Sequence, residues 1–330
     1  MNILLTGGTG YIGAHTAVEL INAGHNITIV DNLSTSNISV INNIEIISKA
    51  KPKLYLLDLR DKKQLEQIFK QNNFDAVIHF AGFKSVAESV KYPLRYYDNN
   101  VISTIYLLEL VEEYKIPRFI FSSSATVYGI GKNKALTEAD TSMPVNPYAA
   151  TKNTIEEIMK FMCVENNKMI ATALRYFNPI GAHKSGLIGD SPSGIPNNLL
   201  PLIGDVASGV SKKLYVFGND YDTKDGTCVR DYIHIIDLAR AHLSALENNN
   251  FVGFNAFNIG TGKGSSVLDV IAAFKKATGI DIPYEIVGRR AGDVATYYAD
   301  PSKANKLLEW EATLSLEEMC QDYWNFRNKQ

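Results

Sequence analysis

Tyr148 and Lys152 stand four residues apart in Asn146-Pro147-Tyr148-Ala149-Ala150-Thr151-Lys152. On a helix that spacing sets both side chains on one face, an ammonium beside a phenol. A free phenol titrates near about 10, so acting as a base at neutrality requires stabilising its anion by about three units, roughly 4 kcal/mol. One cation at about 4 Å in an effective dielectric of about 20 supplies about that much. The spacing is not selective in a chain with 17 tyrosines, and a second pair, Tyr128 and Lys132, occurs. Gly129 and Gly131 between its members disfavour a helix there. Tyr148 instead follows a helix-start signal, Asn146 as N-cap and Pro147 at the first position, and precedes good helix formers from Thr154 to Lys160. A third group completes the set. The apolar strand Arg118 to Phe121 runs into Ser122-Ser123-Ser124-Ala125-Thr126-Val127-Tyr128-Gly129. A hydroxyl at a strand's carboxyl end can bind a substrate alcohol and turn its proton toward a base, and Ser124 is the serine expected to do so.

The elements around these residues alternate strand and helix. Asn2 to Thr6 is a short apolar strand, followed by Gly7, Gly10 and Gly13 and a helical stretch from Tyr11 to Ala23. Glycines at such a turn let the backbone approach a pyrophosphate whose charge the helix N-terminus stabilises, although a plain tight turn would also use them. A second strand, Asn26 to Val30, ends on Asp31, whose carboxylate can accept from an adenosine ribose and would repel a 2′-phosphate. Asn32, Leu33, Ser34, Thr35 and Ser36 include no arginine to receive that phosphate, so NAD is expected rather than NADP. A positively charged nicotinamide near Tyr148 would add to the effect of Lys152. Lys53 to Leu57, Asp75 to His79 and Arg118 to Phe121 read as further strands, and Asp61 to Gln71 as a helix. Asp58 closes the third strand where adenine would lie. Phe80, Ala81, Gly82, Phe83 and Lys84 leave the fourth with room for a cofactor. Such alternation predicts an α/β fold, a doubly wound parallel sheet of Rossmann type with its ligand beyond the carboxyl ends of the strands.

At 330 residues the chain suits one large or two intimate domains. With 45% hydrophobic and 21% charged residues and a formal net charge of −2, it reads as an ordinary soluble protein with no reason to favour nucleic acid or an anionic membrane. Cys163, Cys228 and Cys320 show no CxxC spacing, which argues against disulfides or structural zinc and suits a reducing cytoplasm. No signal peptide or apolar run of about 18 residues is apparent. His234 and His242 lack acidic companions, so no metal is expected. Between Pro93 and Tyr114 a long helical stretch carries Val101, Ile105, Leu108 and Val111 or Glu112 on one broad stripe. An extra face there could pair with a symmetry mate together with the helix after Tyr148, giving a homodimer.

The glycine set, Asp31, the SSSATVYG stretch and Tyr148 with Lys152 resemble the extended short-chain dehydrogenase/reductase superfamily. More closely, GGTGYIGAHT, HFAG, YYDNNV, FSSSATVYG, LRYFNPIGAH, GIPNNLLP, FGNDY and VRDYIHI resemble the UDP-glucose 4-epimerase family of galactose metabolism, in order from Met1 to about Trp324. The resemblance implies Tyr148 as base, Lys152 as the cation that lowers its pKa and binds the nicotinamide ribose, and Ser124 as the orienting hydroxyl. It places Tyr11, Ile12, Asp31 to Ser36, Asp58 and Leu59 along the NAD, with Phe80 to Lys84, Asn99 and Phe177. It implies UDP-hexose contacts from Lys84, Asn178, Asn198, Leu199, Tyr215 and Val216. Phe217 would stack on uracil, although apolar packing explains it equally well without the resemblance. Arg230, Tyr232, Arg290 and Asp293 complete that set. Two arginines gripping a diphosphate also make sense alone, because guanidinium groups bind phosphate bidentately. The implied division is an NAD-binding domain over 1–180, with returning segments near 232–260, and a nucleotide-sugar domain over 181–330. Asp237 to Leu246 and Phe257 to Gly260 would be a returning helix and strand. The last helix, from Ser315, would bury Leu316, Met319, Cys320, Tyr323 and Trp324.

The implied reaction interconverts UDP-galactose and UDP-glucose. Tyr148 takes the 4-hydroxyl proton while NAD takes the C4 hydride, the flat 4-keto sugar rotates with its diphosphate anchored, and hydride returns to the other face. A nucleotide-sugar 4,6-dehydratase would start alike but carries an Asp-Glu pair where this chain has Ala125 and Thr126. A silent NAD-binding module would not need Ser124, Tyr148 and Lys152 together. Tyr297 is where the family gates the sugar pocket, and its bulk favours sugars without an N-acetyl group.

Overall fold

Ile3, Leu4 and Leu5 are all fully buried, although neighbouring strand residues face opposite ways. Ile3 and Leu5 enter one apolar core and Leu4 another, so this strand needs cover on both faces. The computed structural model describes residues 1–130, 134–166, 168–191, 198–290 and 292–329. In chain order the strands are β1 (Asn2–Thr6), β2 (Asn26–Asp31), β3 (Lys53–Leu56), β4 (Ala76–His79), β5 (Arg118–Ser124), β6 (Ile170–Tyr176) and β7 (Asn178–Ile180). They continue with β8 (Leu214–Phe217), β9 (Val229–His234), β10 (Gly253–Ile259), β11 (Gly264–Ser266), β12 (Tyr284–Val287) and β13 (Thr296–Tyr297). The first helices are α1 (Tyr11–Asn22), α2 (Ser39–Ser48), α3 (Lys62–Gln71), α4 (Val86–Lys91), α5 (Pro93–Tyr96) and α6 (Ser103–Glu113). After them come α7 (Pro147–Glu165), α8 (Leu199–Ala207), α9 (Ile235–Glu247), α10 (Val267–Thr278), α11 (Ser302–Leu307) and α12 (Leu316–Arg327).

Seven strands form one parallel sheet in the order β10-β6-β5-β4-β1-β2-β3. Residues of α1, α2 and α9 fill one face, and those of α3, α6 and α7 the other. This is the expected doubly wound sheet. The chain winds outward from β1 to β3 and then returns to place β4 on the other side of β1, so a crevice opens at their carboxyl ends. Register fixes which residues share that edge: Thr6 pairs with Val30 and His79, Asp31 with Leu56, and Ser124 with Tyr176.

A smaller layer holds a four-stranded sheet of β7, β9, β11 and β13 and a parallel ribbon of β8 and β12. Its core gathers Ile203, Val216, Tyr232, Phe274, Met319 and Tyr323. The last helix behaves as expected, with Met319, Cys320 and Tyr323 buried, Leu316 and Trp324 packed against them, and a Ser315–Glu318 capping box. Chain from the second half also reaches the large sheet: α9 packs on α1, β10 pairs with β6, and Trp310 lies in the first core with its indole N–H donating to the Asp237 carbonyl at 3.0 Å. No helix among the described residues is long and apolar enough to cross a membrane.

Three expectations are corrected. β5 runs through Ser124, so Ser122 to Ser124 belong to the strand rather than following it. β3 stops at Leu56, leaving Asp58 in the loop beyond. The stretch after Pro93 is no continuous α-helix, because a π-helical segment, Tyr97–Ile102, interrupts it. The expected stripe survives the interruption, with Val101, Leu108 and Val111 buried and Ile105 packed beside them.

Candidate active site

The turn after β1 is built for close approach. Gly7 has φ +70°, and a Cβ there would lie 2.6 Å from the Ala81 backbone nitrogen; at Gly13 it would lie 2.8 Å from Gly8 Cα. Gly10 caps α1 without a side-chain hydrogen bond. The first amides of α1, from Tyr11 and Ile12 onward, thus face the crevice without intrahelical acceptors, a ready site for a pyrophosphate. Asp31 ends β2, its Oδ1 accepting from Leu33 N at 2.9 Å and its Oδ2 from Thr9 N at 3.1 Å. Ser36 joins them through Thr9, hydroxyl to hydroxyl at 2.7 Å. Asn32 donates to Asp58 at 3.0 Å and accepts from Ser34 N at 3.0 Å, while Thr35 is exposed. Arg60 holds the Asp58 carboxyl well below the usual carboxylate range and also bonds Asp98, so this arginine is already engaged. Leu59 is core, leaving only its backbone toward the crevice. These features fit a dinucleotide with a free ribose 2′-hydroxyl.

Beyond β4, Phe80 and Ala81 turn past Gly7, and the backbone of Phe83 is clasped by Asn100, which accepts from its N–H at 2.8 Å and donates to its carbonyl at 3.0 Å. A Cβ on Gly82 would lie 3.3 Å from the same Asn100 side chain. Asn99 donates to Asn100 at 3.0 Å. Lys84 Nζ lies 4.0 Å from an Asp190 oxygen.

The chemistry-bearing residues meet at the end of β5. Asn146 caps α7 by accepting from Ala149 N at 2.9 Å, and Pro147 sits in the first turn, as the helix-start signal predicts. Lys152 is buried, donates to the Ser122 carbonyl at 2.6 Å and lies 5.9 Å from the Tyr148 ring centre. Ser124 Oγ accepts from Thr126 Oγ1 at 2.9 Å and from Thr126 N at 3.2 Å. Burial pushes the Tyr148 phenol above its ordinary value, and the Ser124 hydroxyl pulls it partway back. Burial lowers Lys152 to about 7, with Glu156 opposing. In the protein alone, burial therefore opposes the acidic phenol that Lys152 and a nicotinamide together are expected to give. A charged amine about 6 Å away in an effective dielectric of about 20 contributes about 3 kcal/mol toward the phenolate. The other pair does not form on a helix: Tyr128 ends a 3₁₀ turn and donates to Asn258 at 2.6 Å, and Lys132 lies outside the described residues.

On the other wall, Tyr297 donates to the Ala125 carbonyl at 2.5 Å and lies 5.9 Å from the Phe177 ring. That places its ring one residue past Ser124. Arg230 and Arg290 converge on Asp293, at 3.5 Å and 3.0 Å from Oδ1, and Arg290 lies 5.7 Å from the Phe217 ring. Tyr215 and Phe217 face outward on β8, whereas Val216 and Tyr232 are buried, which leaves chiefly backbone from Val216 for a ligand. Asn178 is exposed on β7 opposite Tyr232, and Asn198 stands before Leu199 at the start of α8, its side chain donating to Asp190 at 3.4 Å rather than capping the helix. Of the GIPNNLLP stretch, Gly194 to Asn197 lie outside the described residues.

Several groups at the site escaped the sequence reading. Asn100 also donates to Thr151 at 3.3 Å, tying the loop after β4 to the helix of Tyr148. It stands in the π-helical segment, and its neighbour Asn99 was legible only through the family resemblance. Behind Ser122, the Tyr176 hydroxyl donates to His242 Nε2 at 2.5 Å, a tautomer set by His242 Nδ1–H bonding the Leu238 carbonyl at 2.8 Å. No sequence spacing links those residues.

The family model described as GDP-mannose 4,6 dehydratase matches residues 4–323. A dehydratase would need acids where Ala125 and Thr126 stand, and here Thr126 spends its hydroxyl on Ser124. The UDP-glucose 4-epimerase of Bacillus subtilis is 49% identical over 329 residues, covering 99% of this chain and 97% of that protein. Among solved structures, a UDP-glucose 4-epimerase from Stenotrophomonas maltophila with bound NAD and formylated UDP-arabinopyranose superposes with TM-score 0.97 at 43% identity, covering 100% of this chain and 98% of that one. One from Bifidobacterium longum in complex with NAD+ and UDP superposes with TM-score 0.95 at 45% identity, with coverage of 100% and 98%. On this agreement in sequence and fold, the chain belongs to the UDP-glucose 4-epimerase family of NAD-dependent isomerases.

Proposed function

We propose that this chain interconverts UDP-galactose and UDP-glucose, with Tyr148 as base, Ser124 as the hydroxyl that orients the sugar alcohol, and Lys152 as the cation beside them. The observation that carries this reading is the meeting of all three at the carboxyl end of β5, beside the loops of β1 and β4. When bound, NAD supplies the acceptor and later the donor of the C4 hydride, together with the fixed positive charge of its nicotinamide. The uncapped start of α1 and the Asp31 carboxylate would hold it, and Lys152, with its ammonium charged, would bind its ribose. Tyr148 removes the sugar 4-hydroxyl proton and later gives it back. Arg230 and Arg290 leave Asp293 for the diphosphate, Asp293 turns to a ribose hydroxyl, and Phe217 stacks on uracil. Inversion at C4 follows when the nucleotide stays gripped and the flat keto sugar turns.

The working division is an NAD-binding domain over 1–180 with returning segments near 232–260, and a nucleotide-sugar domain over 181–330. A homodimer would cover apolar side chains exposed on α5 and α7: Leu94, Phe161 and Val164 are 83%, 73% and 74% exposed. Three free cysteines suit a cytoplasmic setting. Light scattering on the protein and on a Phe161→Glu variant tests the dimer, which the charge should split.

A coupled assay with UDP-glucose dehydrogenase tests the function. Formation of UDP-glucose from UDP-galactose supports it, a 4-keto-6-deoxy product would replace it with a dehydratase, and no turnover would leave a silent binding module.

A further inference from the structure

Glu156 lies one turn beyond Lys152 on α7, and its side chain is fully buried. A buried carboxylate must be compensated. Arg175 on β6 meets it with two bonds, Nε to Oε1 at 3.0 Å and Nη2 to Oε2 at 2.6 Å. That pair would satisfy the charges by itself. A third bond is made nonetheless: Ser123 Oγ donates to Oε1 at 2.5 Å. Ser123 stands between Ser122, whose carbonyl holds Lys152, and Ser124, whose hydroxyl faces Tyr148. The remaining guanidinium branch donates to Tyr128 at 2.9 Å, and Tyr128 donates to Asn258 of β10. One carboxylate thus ties the strand of the serines to the helix of the base and the amine, with two further strands as anchor.

We infer that Glu156 is a positioning residue for the epimerase reaction, locking the Ser122–Ser124 strand in register against the helix that carries Tyr148 and Lys152. This rests on the roles given under Proposed function. A buried ion pair adds little stability over well-packed apolar side chains, so its third bond is better explained by register than by strength.

Charge enters separately. Lys152 faces Tyr148 and Glu156 on its own helix, the Ser122 carbonyl and Phe121 ring of β5, and His79 of β4, which burial keeps neutral. From β6 come Arg175, engaged by Glu156, and the Tyr176 phenol, which senses Tyr148. Of these, Glu156 is the carboxylate that favours the charged amine.

Ser123→Ala separates register from charge, because it deletes one hydroxyl and leaves the Glu156–Arg175 pair intact. Its kcat on UDP-galactose should fall by about tenfold, the scale of a slight misplacement of reacting groups, with KM and the pH profile unchanged. Glu156→Gln should in addition move the alkaline limb of the kcat profile to lower pH, since Lys152 then loses its proton sooner. Where Glu156→Gln does not fold, Ser123→Ala still decides. Wild-type kcat in Ser123→Ala overturns the inference, as does a loss that merely tracks the fraction of folded protein. Failure of the unaltered protein to turn over UDP-galactose would instead strike the epimerase reading itself.

Discussion

Replacing Lys152 by methionine should make the protein more stable and less active at once. The ammonium is buried, and desolvation brings it to about 7, whereas an unfolded lysine titrates near about 10.4. A lysine whose folded pKa is depressed penalises the folded state fully below about pH 7, and the penalty fades as pH rises toward the unfolded value, where both states are neutral. The gap of about 3.4 units corresponds to about 5 kcal/mol. The lost bond to the Ser122 carbonyl returns about 1.5 kcal/mol of that, so Lys152→Met should gain about 3 kcal/mol at pH 6. In a chain of this length that raises the melting midpoint by about 5 °C, and the advantage should shrink steadily toward pH 10. Turnover moves the other way. Losing a charge that favours the phenolate by about 3 kcal/mol lowers its population about 100-fold, so kcat on UDP-galactose at pH 7 should drop by about that factor. Scanning calorimetry across pH 6–10 and the dehydrogenase-coupled assay, with cofactor content measured on each sample, read both effects. A variant that melts below the parent at pH 6, or turns over at the parent's rate, would refute the reasoning.

Tyr148→Phe deletes only the phenolic hydroxyl, so interconversion should fall by at least about 10³-fold while NAD measured by release from the protein stays near the parent's amount. Tyr297→Gly removes the ring that reaches the Ala125 carbonyl and should admit UDP-N-acetylglucosamine, read as UDP-N-acetylgalactosamine by chromatography; unchanged selectivity would move the gate elsewhere. Arg290→Ala should raise the dissociation constant for UDP by about tenfold or more, since a charge-assisted phosphate contact contributes about 1.5–3 kcal/mol, and titration calorimetry measures it directly.

What could be read from the sequence was local. Gly7 and Gly13 announce a turn because their backbone admits no Cβ there, and Asp31 is found by its place at a strand's end. Tyr148 and Lys152 are found by helical period, aided by Asn146 and Pro147, and those signals separate them from Tyr128, which a 3₁₀ turn claims. Protonation states were not legible, because desolvation depends on which strands and helices enclose a group. Spacing places Lys152 beside Tyr148 but says nothing of the burial that moves both groups toward neutrality. Nor was the Ser123–Glu156–Arg175 junction, whose members are 33 and 19 positions apart and meet only once β5, β6 and α7 are assembled. Asn100 escaped for a related reason: the π-helical segment that aims it at Phe83 is set by tertiary packing rather than by helix propensity.

The contrast between the two walls of the site bears on how inversion can occur. Ser123, Lys152, Glu156 and Arg175 are all at most 5% exposed and bonded among strands and helix, so the proposed base sits on a wall that cannot easily shift. Tyr215 and Phe217 are 51% and 40% exposed on a ribbon whose two strands pair only with each other. Arg230 and Arg290 both reach Asp293, and Arg230 also donates to the Val229 and Val294 carbonyls at 2.9 Å and 2.8 Å. A diphosphate offers those guanidinium groups more charge than that carboxylate does, so binding can exchange one partner for another without leaving a buried cation alone. On the proposed roles, the grip belongs to the wall that can rearrange around a nucleotide, and the proton transfer to the wall that stays fixed. A hexose joined to the first and presented to the second touches both through a single rotatable linkage. That is the arrangement in which a flat ketone can turn over without the nucleotide leaving.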